Sequence, residues 1–136
     1  MSWHLTYRHR YVFDPKQPGV TLPVSLFANG LVETTEAAID SGSTLCVFKR
    51  EIAEWLNIPI EQGIEDQVNA MGTVIRVYGH EVRMVIGEMT LDLFVYFPAF
   101  QNIPRNLLGR QGFLQRMLFG LDDYEGVVYF GYHSDQ

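Results

Sequence analysis

One carboxylate stands in an unusual position, within the stretch Ala37–Cys46. Three apolar residues end at Asp40, and a turn of small residues follows at once in Ser41, Gly42 and Ser43 before apolar residues return. Asp40 could close an ordinary surface turn by accepting a hydrogen bond from the backbone just after it. The tripeptide alone favours this surface turn. The apolar residues on both sides favour the second interpretation, an active-site carboxylate, since the turn offers backbone N–H groups and a hydroxyl as donors.

A second feature lies far downstream, in Asn106–Arg110. Two leucines, Leu107 and Leu108, precede Gly109, and a glycine at such a place admits close approach of another backbone segment. The second of the predicted short helices includes this stretch.

Alternating apolar and polar residues indicate the strands that must carry Asp40. A first strand is predicted within Trp3–Phe13, a second over Thr21–Ala28 and a third over Leu31–Ile39. Asn29-Gly30 between the last two favours a type I′ hairpin turn, because both residues tolerate positive φ. The third strand of this meander ends directly at Asp40.

The remaining pattern predicts a mainly β fold with two short helices, in a small closed barrel. The helices are expected at Lys49–Asn57 and within Arg105–Met117. A break is expected at Gly79-His80, between two strands. The further strands are predicted at Val68–Tyr78, Glu81–Ile86, Met89–Phe97, Met117–Leu121 and Gly126–Tyr132.

Composition limits the classes of function. The chain has 136 residues, 47% of them hydrophobic, which suits one domain spanning residues 1–136. A net charge of −6 argues against a nucleic-acid partner, and the apolar run Phe94–Phe100 is too short to cross a membrane. A single cysteine, Cys46, and no evident secretory signal favour a reducing, cytoplasmic location. With one cysteine and no suitably spaced histidine pair, we expect no metal site and no cofactor.

Four features in this order resemble the retropepsin-like aspartic peptidases. A strand ends in the Asp-Ser-Gly motif of Asp40–Gly42, and a short helix follows. A flap-like segment, Val68–Thr73, contains a glycine, and the apolar pair before Gly109 precedes a C-terminal helix. The resemblance extends from about Leu22 to Tyr132.

The resemblance implies an endopeptidase that needs no metal and forms no covalent intermediate. Two aspartates share a proton and activate a water molecule, but this chain has only one Asp-Ser/Thr-Gly motif. Catalysis would therefore require a homodimer in which Asp40 meets its symmetry mate, acting on a peptide or protein substrate at mildly acidic pH. The implied supporting residues are Ser41, Gly42 and Ser43 in the active-site loop, Ala70, Met71, Gly72 and Thr73 in the flap, and Leu107, Leu108 and Gly109 in the second motif.

The chain departs from the viral members of that family at Thr44, where those enzymes carry an acidic residue. Arg110 is therefore expected to lack the partner that this acidic residue would provide. A second hypothesis keeps the fold without proteolysis, as a binding or dimerisation module, because fold does not fix function. Oligomeric state discriminates between the two, since a strict monomer cannot assemble the pair of aspartates.

Overall fold

The computed structural model describes residues 1–70, 72–100 and 102–136, and the chain is mainly β. One α-helix, α1, spans Arg50–Trp55 in the described part of the chain, and short 3₁₀ segments occur elsewhere. The strands are β1 (His9–Val12), β2 (Val20–Ala28), β3 (Leu31–Ile39), β4 (Ile64–Ala70), β5 (Thr73–Ile86), β6 (Met89–Pro98), β7 (Asn106–Leu108), β8 (Leu118–Asp122) and β9 (Val127–Gly131).

The hairpin that carries Asp40 confirms the sequence prediction. β2 and β3 pair in antiparallel fashion along their whole length, from Val20 opposite Ile39 to Ala28 opposite Leu31. Asn29 and Gly30 form the turn, with φ of 54° and 73°. Local turn chemistry and strand alternation therefore suffice to deliver Asp40 to the end of β3.

A second hairpin, β4–β5, contains the predicted flap. Its strands pair from Ile64 opposite Gly79 to Ala70 opposite Thr73, and Gly72 in the turn has φ of 79°. The predicted break at Gly79-His80 is wrong, because β5 continues through both residues. Gly79 serves packing instead of a turn: a Cβ there would lie 2.5 Å from the ring of Tyr96.

The predicted closed barrel is also wrong. Among the described residues, β1, β9 and β8 form one sheet. The other strands form a second sheet in the order β4-β5-β2-β3-β7, and β6 pairs with β5 outside that order. Closure of the second sheet would require β4 to pair with β7. Residues of both strands instead line one cleft, and this open space keeps the two strands apart.

The first predicted helix is confirmed as α1, but the second is replaced by other structure. Asn106–Leu108 forms β7, which runs parallel to β3, and only Leu114–Arg116 adopts a 3₁₀ turn. Pairing with β3 satisfies backbone groups that a helix would satisfy internally. None of the helices in the described ranges is long and apolar enough to cross a membrane.

The first predicted strand is shorter than expected. β1 covers only His9–Val12, where it pairs with β9, and Trp3 and Leu5 are exposed. The main core lies between the sheets and includes Phe48, Phe97 and Phe113. A smaller apolar cluster lies beside the cleft and consists of Leu45, Val47, Ile75, Val77 and Ile103.

Candidate active site

Asp40 begins a tight loop immediately after β3. Its side-chain Oδ1 accepts a hydrogen bond from the N–H of Gly42 at 2.9 Å, and its carbonyl accepts one from the N–H of Ser43 at 3.1 Å. The first bond is an Asx turn, so the local geometry of the simpler interpretation is present. The surroundings of the loop decide what else the carboxylate can do.

The Asp40 loop lies directly against β7 and the loop after it. The N–H of Asp40 donates to the carbonyl of Leu108 at 3.0 Å, which extends the parallel pairing of β3 and β7 by one residue. The N–H groups of Arg110 and Gln111 then donate to the carbonyls of Ser43 and Thr44 at 2.9 and 2.8 Å. The two sequence features identified above are therefore adjoining parts of one structure.

Gly109 makes this contact possible. A Cβ at position 109 would overlap the carbonyl of Leu45 and would lie 2.7 Å from the carbonyl oxygen of Ser43. Real Cβ atoms do not approach backbone so closely, so only glycine allows the two loops to meet here. Close backbone approach, predicted from the sequence, is confirmed.

Cys46 joins the same two loops from the protein interior. Its thiol accepts a hydrogen bond from the N–H of Gly109 at 3.4 Å and donates to the carbonyl of Gln111 at 3.7 Å. Burial raises the pKa of the thiol to about 11, although the Gly109 N–H acts in the opposite direction. The thiol is therefore neutral at physiological pH and acts as a packing and hydrogen-bonding group.

Asn106 is a supporting residue that the sequence analysis did not single out. Its side chain is 3% exposed. Its Oδ1 accepts from the N–H of Lys49 at 2.8 Å, and its Nδ2 donates to Oγ1 of Thr35 at 3.1 Å and to the carbonyl of Glu36 at 2.9 Å. This one amide ties β7 to β3 and to the start of α1. The only available signal was an amide side chain directly before two leucines.

A cleft of about 1200 Å³ opens beside the Asp40 loop. One wall is the β4–β5 hairpin and another is the segment around β7. Its floor includes members of the small apolar cluster, while Asp40, Asp66 and Arg105 contribute charged groups. The hairpin residues that line it are Asp66, Gln67, Val68, Asn69, Thr73 and Ile75.

Of the predicted site residues, the structure brings Asp40, Gly42, Ser43, Thr73 and Leu107 to the lining of one cleft. Asp40 is partly buried, Gly42 and Ser43 line the cleft beside it, and Ser41 is exposed. The hydroxyl of Ser43 donates to the carbonyl of Leu45 at 2.7 Å rather than to the carboxylate. Leu107 lines the cleft, whereas Leu108 is buried beneath it.

The predicted flap residues are only partly described. Ala70 and Thr73 are paired at the end of the hairpin, and Gly72 lies in its turn. Met71, predicted at the tip, lies outside the described residues.

The described side chains form no evident metal site. Within residues 1–70, 72–100 and 102–136, no three His, Cys, Asp or Glu side chains cluster closely enough to hold a metal ion. The nearby Tyr96 is a weak acid whose pKa is raised by burial and, to a smaller extent, by the negative charge of Asp66. The carboxylate of Asp40, which lines the cleft, is a group that can act in general acid–base chemistry.

Comparison with known proteins defines the fold. No protein-family model matches the sequence, and no curated protein matches it. A solved structure described as a retropepsin-like aspartic protease from Rickettsia conorii matches with a TM-score of 0.58 and 15% sequence identity, over 80% of this chain and 88% of that chain. The fold of this chain is therefore retropepsin-like, as the sequence motifs suggested.

Proposed function

We propose that the chain is an aspartic endopeptidase that hydrolyses peptide bonds as a homodimer. The proposal is carried by one observation: Asp40 lies in a loop that Gly109 locks against β7, at the edge of a cleft bordered by a hairpin. A loop that served only as a surface turn would not require such close contact with the loop after β7. The retropepsin-like fold supports the same conclusion at the level of architecture.

The proposed mechanism uses Asp40 of each subunit. Two carboxylates held about 3 Å apart cannot both ionise, so the pair binds one proton between them. The ionised member removes a proton from a water molecule, which attacks the peptide carbonyl. The protonated member donates a hydrogen bond to the carbonyl oxygen and stabilises the charge that develops there. The observed Gly42 N–H bond to Oδ1 fixes the orientation of the carboxylate.

The other site residues receive roles that support this chemistry. Ser41, exposed on the loop, would bond across the two-fold axis and hold the paired loops together. The β4–β5 hairpin, with Gly72 in its turn, would close over the peptide and exclude water. The apolar floor beside Leu45 and Ile75 would receive apolar side chains of the substrate.

The decisive variant is Asp40→Asn, tested on a peptide library beside the wild type. The amide keeps the size of the side chain and can still accept the Gly42 N–H, but it cannot act as a base. We expect peptide cleavage to fall by at least about a thousandfold while the fold is retained. Asp123→Asn is the matched control, because Asp123 is exposed and lies away from the cleft.

The pH profile provides an independent test of the shared proton. The wild type should give a bell-shaped profile with a mildly acidic optimum, because the pair must carry one proton. Cleavage that rises steadily to about pH 9 would contradict this mechanism. Equal cleavage by Asp40→Asn and the wild type would assign the activity to another protein in the preparation.

A further inference from the structure

Arg105 is the one basic residue among the described residues that line the cleft, and the proposed chemistry does not use it. It precedes β7, is exposed and lines the cleft together with Asp40. The ion pairs found in the described ranges involve Arg8, Arg50, Arg76 and Arg83, and none of them includes Arg105. Its positive charge is therefore not neutralised by a neighbouring carboxylate among the described residues.

The guanidinium of Arg105 is held in place by backbone. Its Nη1 donates to the carbonyl of Pro18 at 3.3 Å. It also lies across Gly19, where a Cβ would be 2.9 Å from the same nitrogen. Gly19 has φ of 82°, a backbone conformation that favours glycine, and the guanidinium lies where a side chain at position 19 would project. One donor of the guanidinium is thus engaged, and a planar group with several remaining donors is left beside the cleft.

Apart from Asp40, the charged groups of the cleft lie on separate walls. Asp66 belongs to the β4–β5 hairpin, whereas Arg105 belongs to the segment that leads into β7. Neither is paired with the other in the ion pairs of the described residues. A substrate in the cleft would therefore meet a cation on one wall and a carboxylate on the other, and its own charges would decide how well it fits.

We propose that Arg105 is a specificity-determining residue that selects peptides with an acidic side chain beside it. This inference rests on the proposed peptidase function and names the substrate class of that site. A guanidinium presents a planar fork that bonds a carboxylate through two N–H groups, and partial anchoring on Pro18 reduces the entropy lost on binding. In a symmetric dimer each subunit supplies one Arg105, so the preference falls at two positions, one on each side of the cleaved bond.

The test is a competitive digest of matched peptides. Short apolar peptides carry a single Glu at each position in turn, and two otherwise identical sets carry Gln or Lys. We expect the wild type to cleave the best Glu peptide about tenfold faster, in kcat/KM, than its Gln counterpart. Arg105→Ala should remove that preference and Arg105→Glu should transfer it to peptides with Lys. Arg10→Ala is the matched control, because Arg10 lies on β1 in the other sheet.

A binding measurement separates this inference from the proposed reaction. Fluorescently labelled forms of the Glu and Gln peptides are titrated with Asp40→Asn protein, with and without Arg105→Ala. Tighter binding of a Glu peptide that disappears with Arg105→Ala supports the inference even if the wild type cleaves nothing. Equal binding and equal cleavage of every Glu and Gln pair would overturn it, as would a Glu preference that persists in Arg105→Ala.

Discussion

At the residue scale, the candidate site depends on the absence of a side chain at Gly109. The loop after β3 and the loop after β7 approach so closely that two backbone hydrogen bonds form between them, from Arg110 to Ser43 and from Gln111 to Thr44. The position of Asp40 is set by this contact as much as by its own turn. The most sensitive position of the site is therefore not one of the groups that would perform the chemistry.

Gly109→Ala should destabilise the protein by about 3–5 kcal/mol. The added methyl group meets the carbonyls of Ser43 and Leu45, and moving them apart breaks the two hydrogen bonds between the loops. The measurement is the free energy of unfolding in urea. The control is Gly30→Ala, where the space is open and only the φ of 73° opposes alanine, at a cost of about 1–2 kcal/mol. Equal losses for both variants would show that the loop contact contributes little.

The same scale shows how far sequence reasoning reaches. Asp40 and Gly109 could be selected because each stands in a local context that is unusual by itself: a carboxylate between apolar runs, and a glycine after two leucines. Asn106 and Arg105 could not be selected. Their importance comes from partners at Glu36 and Pro18, which only the folded chain brings near them.

At the scale of elements, β7 determines how the site is assembled. It is short, yet it pairs in parallel with the end of β3 and also meets Val47, so it lies between the segments that enter and leave the Asp40 loop. Asn106 opposes Ala37 in this register and binds the backbone of both Glu36 and Lys49. The amide therefore fixes which residue of β7 faces Asp40.

Asn106→Asp should make stability depend on pH in a way that the wild type does not. The new carboxyl is buried, so its folded pKa is raised above its value of about 4 in the unfolded chain. When protonated it can still donate to the carbonyl of Glu36; when ionised it cannot. The contribution of this carboxyl to the free energy of unfolding is therefore fully present below about pH 4, and it is lost as pH rises towards the folded pKa.

The measurement is the difference in unfolding free energy between Asn106→Asp and the wild type, followed from about pH 4 to pH 8. Asn102→Asp is the control, because Asn102 is exposed and should show no comparable loss. A difference that does not change across this range would mean that the donors of Asn106 do not hold β7 in register.

The elements also explain which predictions failed. The β2–β3 hairpin was predictable because its alternation and its Asn29-Gly30 turn are local. The second helix and the break at Gly79 were wrong for a different reason. A parallel partner for Asn106–Leu108 and the ring of Tyr96 over Gly79 are distant in sequence, and they override the local preference of each segment.

At the scale of the whole molecule, the described part of one chain provides one Asp40 loop, with the cleft beside it. The sheet is open between β4 and β7, and the cleft there is lined by residues of a single chain. The proposed chemistry nevertheless needs a second carboxylate. The sequence contains no second Asp-Ser/Thr-Gly motif that could supply it. Assembly is therefore the property on which the peptidase proposal depends most strongly.

Mixing wild-type and Asp40→Asn chains gives a direct measure of this dependence. If each active site contains one Asp40 from each chain, hybrid dimers are inactive and activity follows the square of the wild-type fraction. An equal mixture, combined in dilute solution and reconcentrated, should then retain about one quarter of the activity of the same total amount of wild type. Asp123→Asn chains, mixed in the same way, should leave activity unchanged. A linear decline to about one half would show that a single chain carries a complete site, because independent sites lose activity only in proportion to the chains replaced.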